Sequence, residues 1–418
     1  MKKFFYLLPV VMMIFGLASC SSDDDEVVRH DVTVTVTLPE EVTKAQALDG
    51  AISVTATNTT TNQESVAQVV NNEATFSLVQ GTYNFTVSGE MDGFHLNGVQ
   101  TGVDVFKAKS INISLIASVG SSLVFKEVYF CGVPDWYFGD AFYEIYNNSD
   151  EVQYLDGIIL GVVDWGLPPS VWSKENPSVW MVDGKYPDGY YPLASHVQYF
   201  PGNGTDHPVQ PRTSVIVAAN PLNHSARELG ETDKPSPVDL TIADWQLYKP
   251  NSNSDQLIGT KEIGKEIPAM TFLWASNPYI REMMPSIEGQ PLILARLKNN
   301  LSPEDWASNP QSVHAIPGGT NQCFMIPTDC IIDAIEILPA DPACRDKRIE
   351  AKDDAGITWV TGADGTSNCD YSGKSLRRKV AGFTIDGKAI LKDTNNSSND
   401  FVTGGSTPTP GIIPTVVD

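Results

Sequence analysis

Positive charge is what this sequence has least of: 28 lysines and arginines stand against 51 aspartates and glutamates, a formal net charge of −23. A surface of that sign repels phosphate backbones, so nucleic acid is not expected as a partner. Signatures of common catalytic machinery are missing as well. There is no G-x-S-x-G elbow, no H-E-x-x-H helix, no glycine-rich phosphate loop ending in lysine and no dinucleotide fingerprint. Zinc-type C-x-x-C spacing is absent and the histidines (His30, His95, His196, His207, His224, His314) are scattered, so no metal and no cofactor is expected. Ser195-His196 and Asp206-His207 are adjacent pairs, but strand neighbours point to opposite faces, and a hydrolytic triad would have to be assembled from unrelated loops.

Glycine (32) and proline (28) are plentiful, while charged residues make up only 19% of the chain. That balance favours many short strands joined by turns over long surface helices, and an all-β fold is expected. At 418 residues and 41% hydrophobic content the chain exceeds one average domain, so two cores are expected.

The first residues carry an address. Lys2 and Lys3 precede an apolar run from Phe4 to Phe15 and the small residues Gly16, Ala18 and Ser19, the layout of a secretory leader. The run is several residues short of the roughly 20 that a membrane-crossing helix needs. Leu17-Ala18-Ser19-Cys20 resembles the lipobox of bacterial lipoproteins, which implies cleavage before Cys20 and acylation of that cysteine. Several acyl chains anchor stably, because each buried methylene adds about 0.8 kcal/mol. Ser21-Ser22-Asp23-Asp24-Asp25-Glu26 resembles the acidic export signal of Bacteroidota surface lipoproteins. Together these resemblances imply a signal peptide over 1–19, a lipidated acidic tether over 20–29, and an outer-membrane location facing the exterior.

From His30 the pattern alternates strictly: Val32, Val34, Val36 and Leu38 on one face, Thr33, Thr35 and Thr37 on the other. That is a half-buried strand, and similar alternation recurs in Ile52-Val54, Ala74-Phe76-Leu78, Tyr83-Phe85-Val87 and Ile111-Ile113-Leu115. Short strands at this spacing predict a small sandwich over 30–118. The run NEATFSLVQGTYNFTVSG resembles the transthyretin-like or carboxypeptidase-regulatory repeat of the immunoglobulin-like class. Ala117 to Ser122 is small and polar enough to serve as a linker, and a second module is expected over 119–418.

The stretch DAFYEIYNNSDEVQYLDG, Asp140 to Gly157, is dense in carboxylates and rings. Read as a strand it places Phe142, Glu144 and Tyr146 on one face and Tyr143 and Ile145 on the other, with a turn at Asn147 to Asp150. FYEIYNNSDEVQYLDGIIL resembles the opening hairpin of the lamin-tail domain, and later pieces follow in that family's order. These are Val209 to Val217, Cys330 to Ile337, Gly373 to Lys379, and Thr394 to Phe401 with Thr409-Pro410-Gly411. The layout as a whole resembles an uncharacterised Bacteroidota lipoprotein family with a lamin-tail-like β domain behind a small sandwich. The resemblance implies framework roles for Glu144, Asp156 and Arg377 and supplies no catalytic residue. Glu144 with Asp140 or Asp156 remains open as an acid/base pair of the kind glycosidases use. The oxygen-rich cluster Asp393, Asn395, Asn396, Asn399 and Asp400 departs from calcium-loop spacing and reads as a solvated turn.

With Cys20 acylated, five cysteines remain, and export favours disulfides; the expected pairings are Cys323 with Cys330 and Cys344 with Cys369. Between Trp165 and Gly204 alternation fails and Trp165, Trp172, Trp180, Tyr186, Tyr190 and Tyr191 lie among prolines and glycines. Such rings either fold inward as a satellite core or offer flat faces to a ligand, and Trp165, Trp172, Trp180, Tyr190 and Tyr191 are the candidate contacts. Ser302-Pro303-Glu304-Asp305 predicts a helix start before Trp306. The expected function is a non-enzymatic module that binds a glycan, nutrient or protein, accessory to a TonB-dependent transporter. A glycan hydrolase and a structural part of a surface assembly are the alternatives.

Overall fold

In the computed structural model, residues 28–39, 42, 52–91, 94–133, 139–164, 173, 178–181, 186, 189–226, 236–247, 267–276, 285–315, 320–362 and 371–418 are described. The alternation that opens the sequence becomes β1 (Arg29–Thr37), with Val32, Val34 and Val36 buried and Thr37 exposed. It is followed by β2 (Ile52–Asn58), β3 (Glu64–Gln68), β4 (Glu73–Val79), β5 (Gly81–Met91), β6 (Phe94–Val105), β7 (Lys109–Ser114) and β8 (Ile116–Ser118). These strands form two sheets, ordered β4-β1-β7 and β3-β2-β5-β6-β8. Their inner faces close over one core that includes Val34, Val54, Phe76, Phe85, Val87, Leu96 and Ile113. The all-β expectation holds here and throughout the described residues.

The larger body begins with β9 (Leu123–Tyr129), β10 (Phe142–Asn147), β11 (Gln153–Tyr154), β12 (Ile158–Val163) and β13 (Tyr190–Tyr199). It continues through β14 (Pro208–Val209), β15 (Ser214–Ala218), β16 (Trp245–Gln246), β17 (Thr271–Ala275), β18 (Leu292–Arg296) and the short helix α1 (Pro303–Ala307). It ends with β19 (Val313–Ala315), β20 (Gln322–Pro327), β21 (Ile331–Ile335), β22 (Leu376–Arg377), the hairpin β23 (Val380–Phe383) and β24 (Ala389–Leu391), and α2 (Ser397–Asp400). One sheet runs β16-β15-β10-β9-β22, and the other runs β19-β20-β13-β12-β18-β21, with β17 also paired to β13.

The two sheets pack around Phe125, Tyr143, Ile145, Leu160 and Leu294. Neither keeps a solvent face along its centre, since every residue of β9, β10 and β12 is buried. Outside the first sheet, Phe142 packs with Val238 and Leu240, and Tyr146 packs with the hairpin residues Val380, Ala389 and Leu391. Outside the second, Ile159, Tyr191 and Ile293 lie against Trp180, Tyr186, Trp306 and Ile349. The two faces read from the sequence for residues 142–146 are therefore the two faces observed, both covered.

A bulge sets the register at the centre of the first sheet. Glu144 pairs with Glu127, but Ile145 pairs with Phe125, so Lys126 is the extra residue. Such an insertion puts two neighbouring side chains on one side of the strand and frees backbone groups from the ladder. Lys126 and Glu127 thus both meet the outer layer, and the Phe125 amide turns to the Asp333 carboxylate instead of a neighbouring strand (2.7 Å).

Candidate functional site

The carboxylates of the acidic stretch do not converge; each is tied to a different part of the chain. Glu144, fully buried, accepts from Lys126 Nζ (2.7 Å), from Ser214 Oγ and from the Gly411 amide (3.2 Å). Its neighbour across the ladder, Glu127, accepts from Ser375 Oγ and from the Thr409 amide (3.0 Å). These two acids staple residues 409–411 across the outer face of the sheet. Burial raises the Glu127 carboxyl above its usual range, against the lowering effect of Ser375 and the Thr409 amide. Asp140 accepts from Tyr129 Oη (2.9 Å) and Ser236 Oγ (2.7 Å), which ties the covering segment to the strand beneath.

Asp156 faces another way and organises the loop before β14. It takes the Asp206 amide (2.5 Å), the His207 amide (3.1 Å) and His207 Nδ1 (2.6 Å). His207 in turn stands edge-on to Trp245 at 4.8 Å. The sequence placed Asp206 and His207 side by side without showing that both amides would point at Asp156, some 50 residues earlier. Gly202, at φ +143°, completes this loop: a β-carbon there would run into the Asp156 carboxylate.

The aromatic candidates divide. Trp180 is 3% exposed and Tyr191 fully buried, both in the satellite core, so neither presents a face to a ligand. Tyr191 projects from β13 on the apolar underside of the second sheet, and Trp180 helps cover that underside. Tyr191 Oη donates to Asp353 Oδ2 (2.7 Å) and accepts from the Glu350 amide (2.8 Å); burial and Asp353 raise its phenol far above the ordinary range. Tyr190 is half-buried and stacks on Trp306, centroids 6.1 Å apart. Trp306 follows the expected helix start, with Ser302 capping Asp305, and donates Nε1 to the Met325 carbonyl (2.8 Å). Trp165 and Trp172 lie outside the described residues, as does Cys20.

The Cys323–Cys330 bridge is not formed. Both thiols are free and buried in the satellite core, and burial raises both above the ordinary thiol range. An apolar pocket shelters a thiol without oxidation, which spacing alone does not reveal. Cys344 is buried, and its expected partner Cys369 lies outside the described residues.

The cluster read as a solvated turn holds a deeply buried charge system. Arg378, 1% exposed, meets Asp333 Oδ2 (2.7 Å), Asp393 Oδ1 (3.1 Å) and Asp400 Oδ2 (3.7 Å). Its Nε donates to the Phe125 carbonyl (2.7 Å), and the guanidinium carbon lies 4.6 Å from the centre of the Phe401 ring. The framework arginine is therefore Arg378 and not its neighbour Arg377, which reaches Asp418 Oδ1 (2.6 Å) near the surface. Desolvation pushes Asp333 and Asp400 each up to about 7, against the lowering effect of Arg378 and with Asp393 adding to the rise. Beside this cluster lies a cavity of about 330 Å³, lined by Ser121, Ser122, Ile332, Asp333, Asp353 and Asn395 among others. Among the described residues, no group of three or more His, Cys, Asp or Glu side chains is placed to hold a metal ion.

Residues 210–408 match the family model described as a protein of unknown function (DUF4876). Among solved structures, a DUF4876 family protein from Bacteroides thetaiotaomicron superposes over 93% of this chain and 99% of its own, at 24% identity and a TM-score of 0.56. That likeness shows a shared fold. A DUF3823 family protein from Parabacteroides merdae matches 33% of this chain and 67% of its own at 12% identity, with a TM-score of 0.17, too low to bear on the fold. No curated protein matches the chain.

Proposed function

We propose that the protein is a lipid-anchored, outward-facing β module that binds or adheres and does no chemistry, held to the outer membrane through Cys20. One observation carries the non-enzymatic reading. Asp140, Glu144 and Asp156 are buried and bonded into three separate loops, an arrangement that fastens layers together and leaves no two of these three facing a shared cleft. The anchoring reading rests on Leu17 to Cys20 and on the acids of 23–26. Trp165, Trp172 and the half-buried Tyr190 are the proposed ligand contacts, with a glycan, a nutrient or a protein as ligand and a TonB-dependent transporter as neighbour. The lamin-tail-like identity of the larger body and the transthyretin-like identity of the smaller one belong to the same reading.

The test uses the full-length chain in a Gram-negative host. Labelling with an alkyne fatty acid is expected to mark the wild type and not Cys20→Ala, and protease added to whole cells is expected to digest the wild type. An unlabelled wild type would remove the anchor. An intact wild type beside a digested surface control would turn the protein inward. On a glycan and protein array the Trp165→Ala/Trp172→Ala variant is expected to lose binding while keeping its melting temperature. Unchanged binding would remove those contacts.

A further inference from the structure

The chain passes from the small sandwich to the larger body through residues 119–122, where Ser122 donates Oγ to Gln153 Oε1 (3.2 Å) and accepts from the Asn148 amide (2.7 Å), while Ser121 is held by two segments near the Arg378 cluster. The Ser121 amide donates to Asp393 Oδ2 (2.5 Å), and Ser121 Oγ donates to the carbonyl of Ile332, next to Asp333. From the sandwich side, Asn97 on β6 donates to the Thr394 carbonyl (2.6 Å) and accepts from Asn396 Nδ2 (3.3 Å). Segment 393–396 thus bonds to both the linker and the sandwich.

That segment takes its shape from the Arg378 cluster. Asp400 Oδ2 accepts from the amides of Thr394 (2.9 Å) and Asn396 (3.1 Å), and Asp393 spans Arg378 on one oxygen and Ser121 on the other. One guanidinium faces three carboxylates, all with side chains 6% exposed or less. The other charges at hand do not balance it. Lys379 Nζ is turned to the Asn399 carbonyl, Lys392 offers its carbonyl to Arg378, and Asp353 across the cavity is held by Lys352 and Tyr191. Fully ionised, the cluster holds surplus negative charge on almost wholly buried side chains around a single guanidinium.

We infer that the Arg378 cluster is a proton-operated lock on the joint between the two β bodies, tight while its surplus carboxylates hold protons and loosened when they ionise. The sign follows from linkage. In the closed joint Asp333 and Asp400 are held up to about 7, whereas in an opened joint they regain the ordinary aspartate value of about 3.9. Opening therefore releases protons and becomes more favourable as pH rises between those values, then levels off. The adjoining cavity, which Asp333, Ser121 and Asn395 line, lies next to the atoms that would be freed when segment 393–396 lets go of Ser121 and Asn97.

Amide hydrogen exchange on the whole ectodomain, followed by mass spectrometry on peptides spanning 117–123 and 393–400, tests this. After correction for intrinsic exchange, opening of both peptides is expected to increase about tenfold or more from pH 5 to pH 7 and to flatten above about 7.5. Peptides from β12 are expected to stay level. A flat joint profile from pH 5 to 7 in the wild type overturns the lock. Asp400→Asn and Asp333→Asn each remove one titrating group and are expected to shallow the slope; a full slope in both overturns it too. The wild-type profile decides the matter even if neither variant folds.

Discussion

Glu144 and Arg378 show how much a single buried charge decides in this molecule. Taking one partner from a buried ion pair leaves the other unpaid by solvent, which costs about 3 to 5 kcal/mol. Glu144→Gln is expected to lower unfolding stability by that order in urea titration, and Arg378→Met by at least as much, since it strands three aspartates. His196 carries the opposite kind of pH signal. Buried beside Gln198 and Phe272, it is pulled down to about 4 by desolvation, so its contribution is lost as pH falls from about 6.5 toward 4. NMR titration of the ring is expected to give a midpoint near 4; a midpoint near 6.5 would mean the ring reaches water. The faces of Phe142 to Tyr146 were legible because alternation in a strand is geometric. The choice of Arg378 over Arg377 was not, because the bulge at Lys126 changes which backbone groups ask for a partner, and a bulge leaves no mark in composition.

Among elements, the outer layers do the work that solvent does for simpler sandwiches. Trp180, Tyr186 and Trp306 cover the second sheet, so Trp180→Ala should behave as a cavity mutation, lowering stability by about 3 to 5 kcal/mol in denaturant titration. A variant that kept wild-type stability would place the ring on the surface. At the loop that Asp156 organises, Gly202→Ala meets both a left-handed backbone and a carboxylate in its way, and a loss of about 1 to 3 kcal/mol is expected. In the small sandwich β1, β2, β4, β5 and β7 were readable from alternation, since one face of each meets water, whereas β3, β6 and β8 were not read. β9 and β12 were harder, because a strand buried on both faces loses its alternation. The aromatic run could be read either as a covering layer or as a binding face, and only the apolar underside of the sheet decides for Trp180 and Tyr191.

At the scale of the whole molecule, two β bodies meet at a joint one of whose fastenings lies some 270 residues downstream of the linker it holds. No local pattern announces such a contact; the asparagines and aspartates of 393–400 look like a solvated turn until Arg378 is placed among them. The same holds for the acidic stretch, whose density suggests a cleft and whose partners turn out to be the Thr409–Gly411 strap, the 206–207 loop and the covering segment at Ser236. A double-mutant cycle on Lys126 and Glu144, measured by chemical denaturation with glycan hydrolysis assayed in parallel, tests the framework role most directly. Expected is a coupling of about 2 kcal/mol or more between the two side chains, with no turnover by the wild type. A coupling near zero, together with wild-type turnover that Glu144→Gln abolishes, would contradict it.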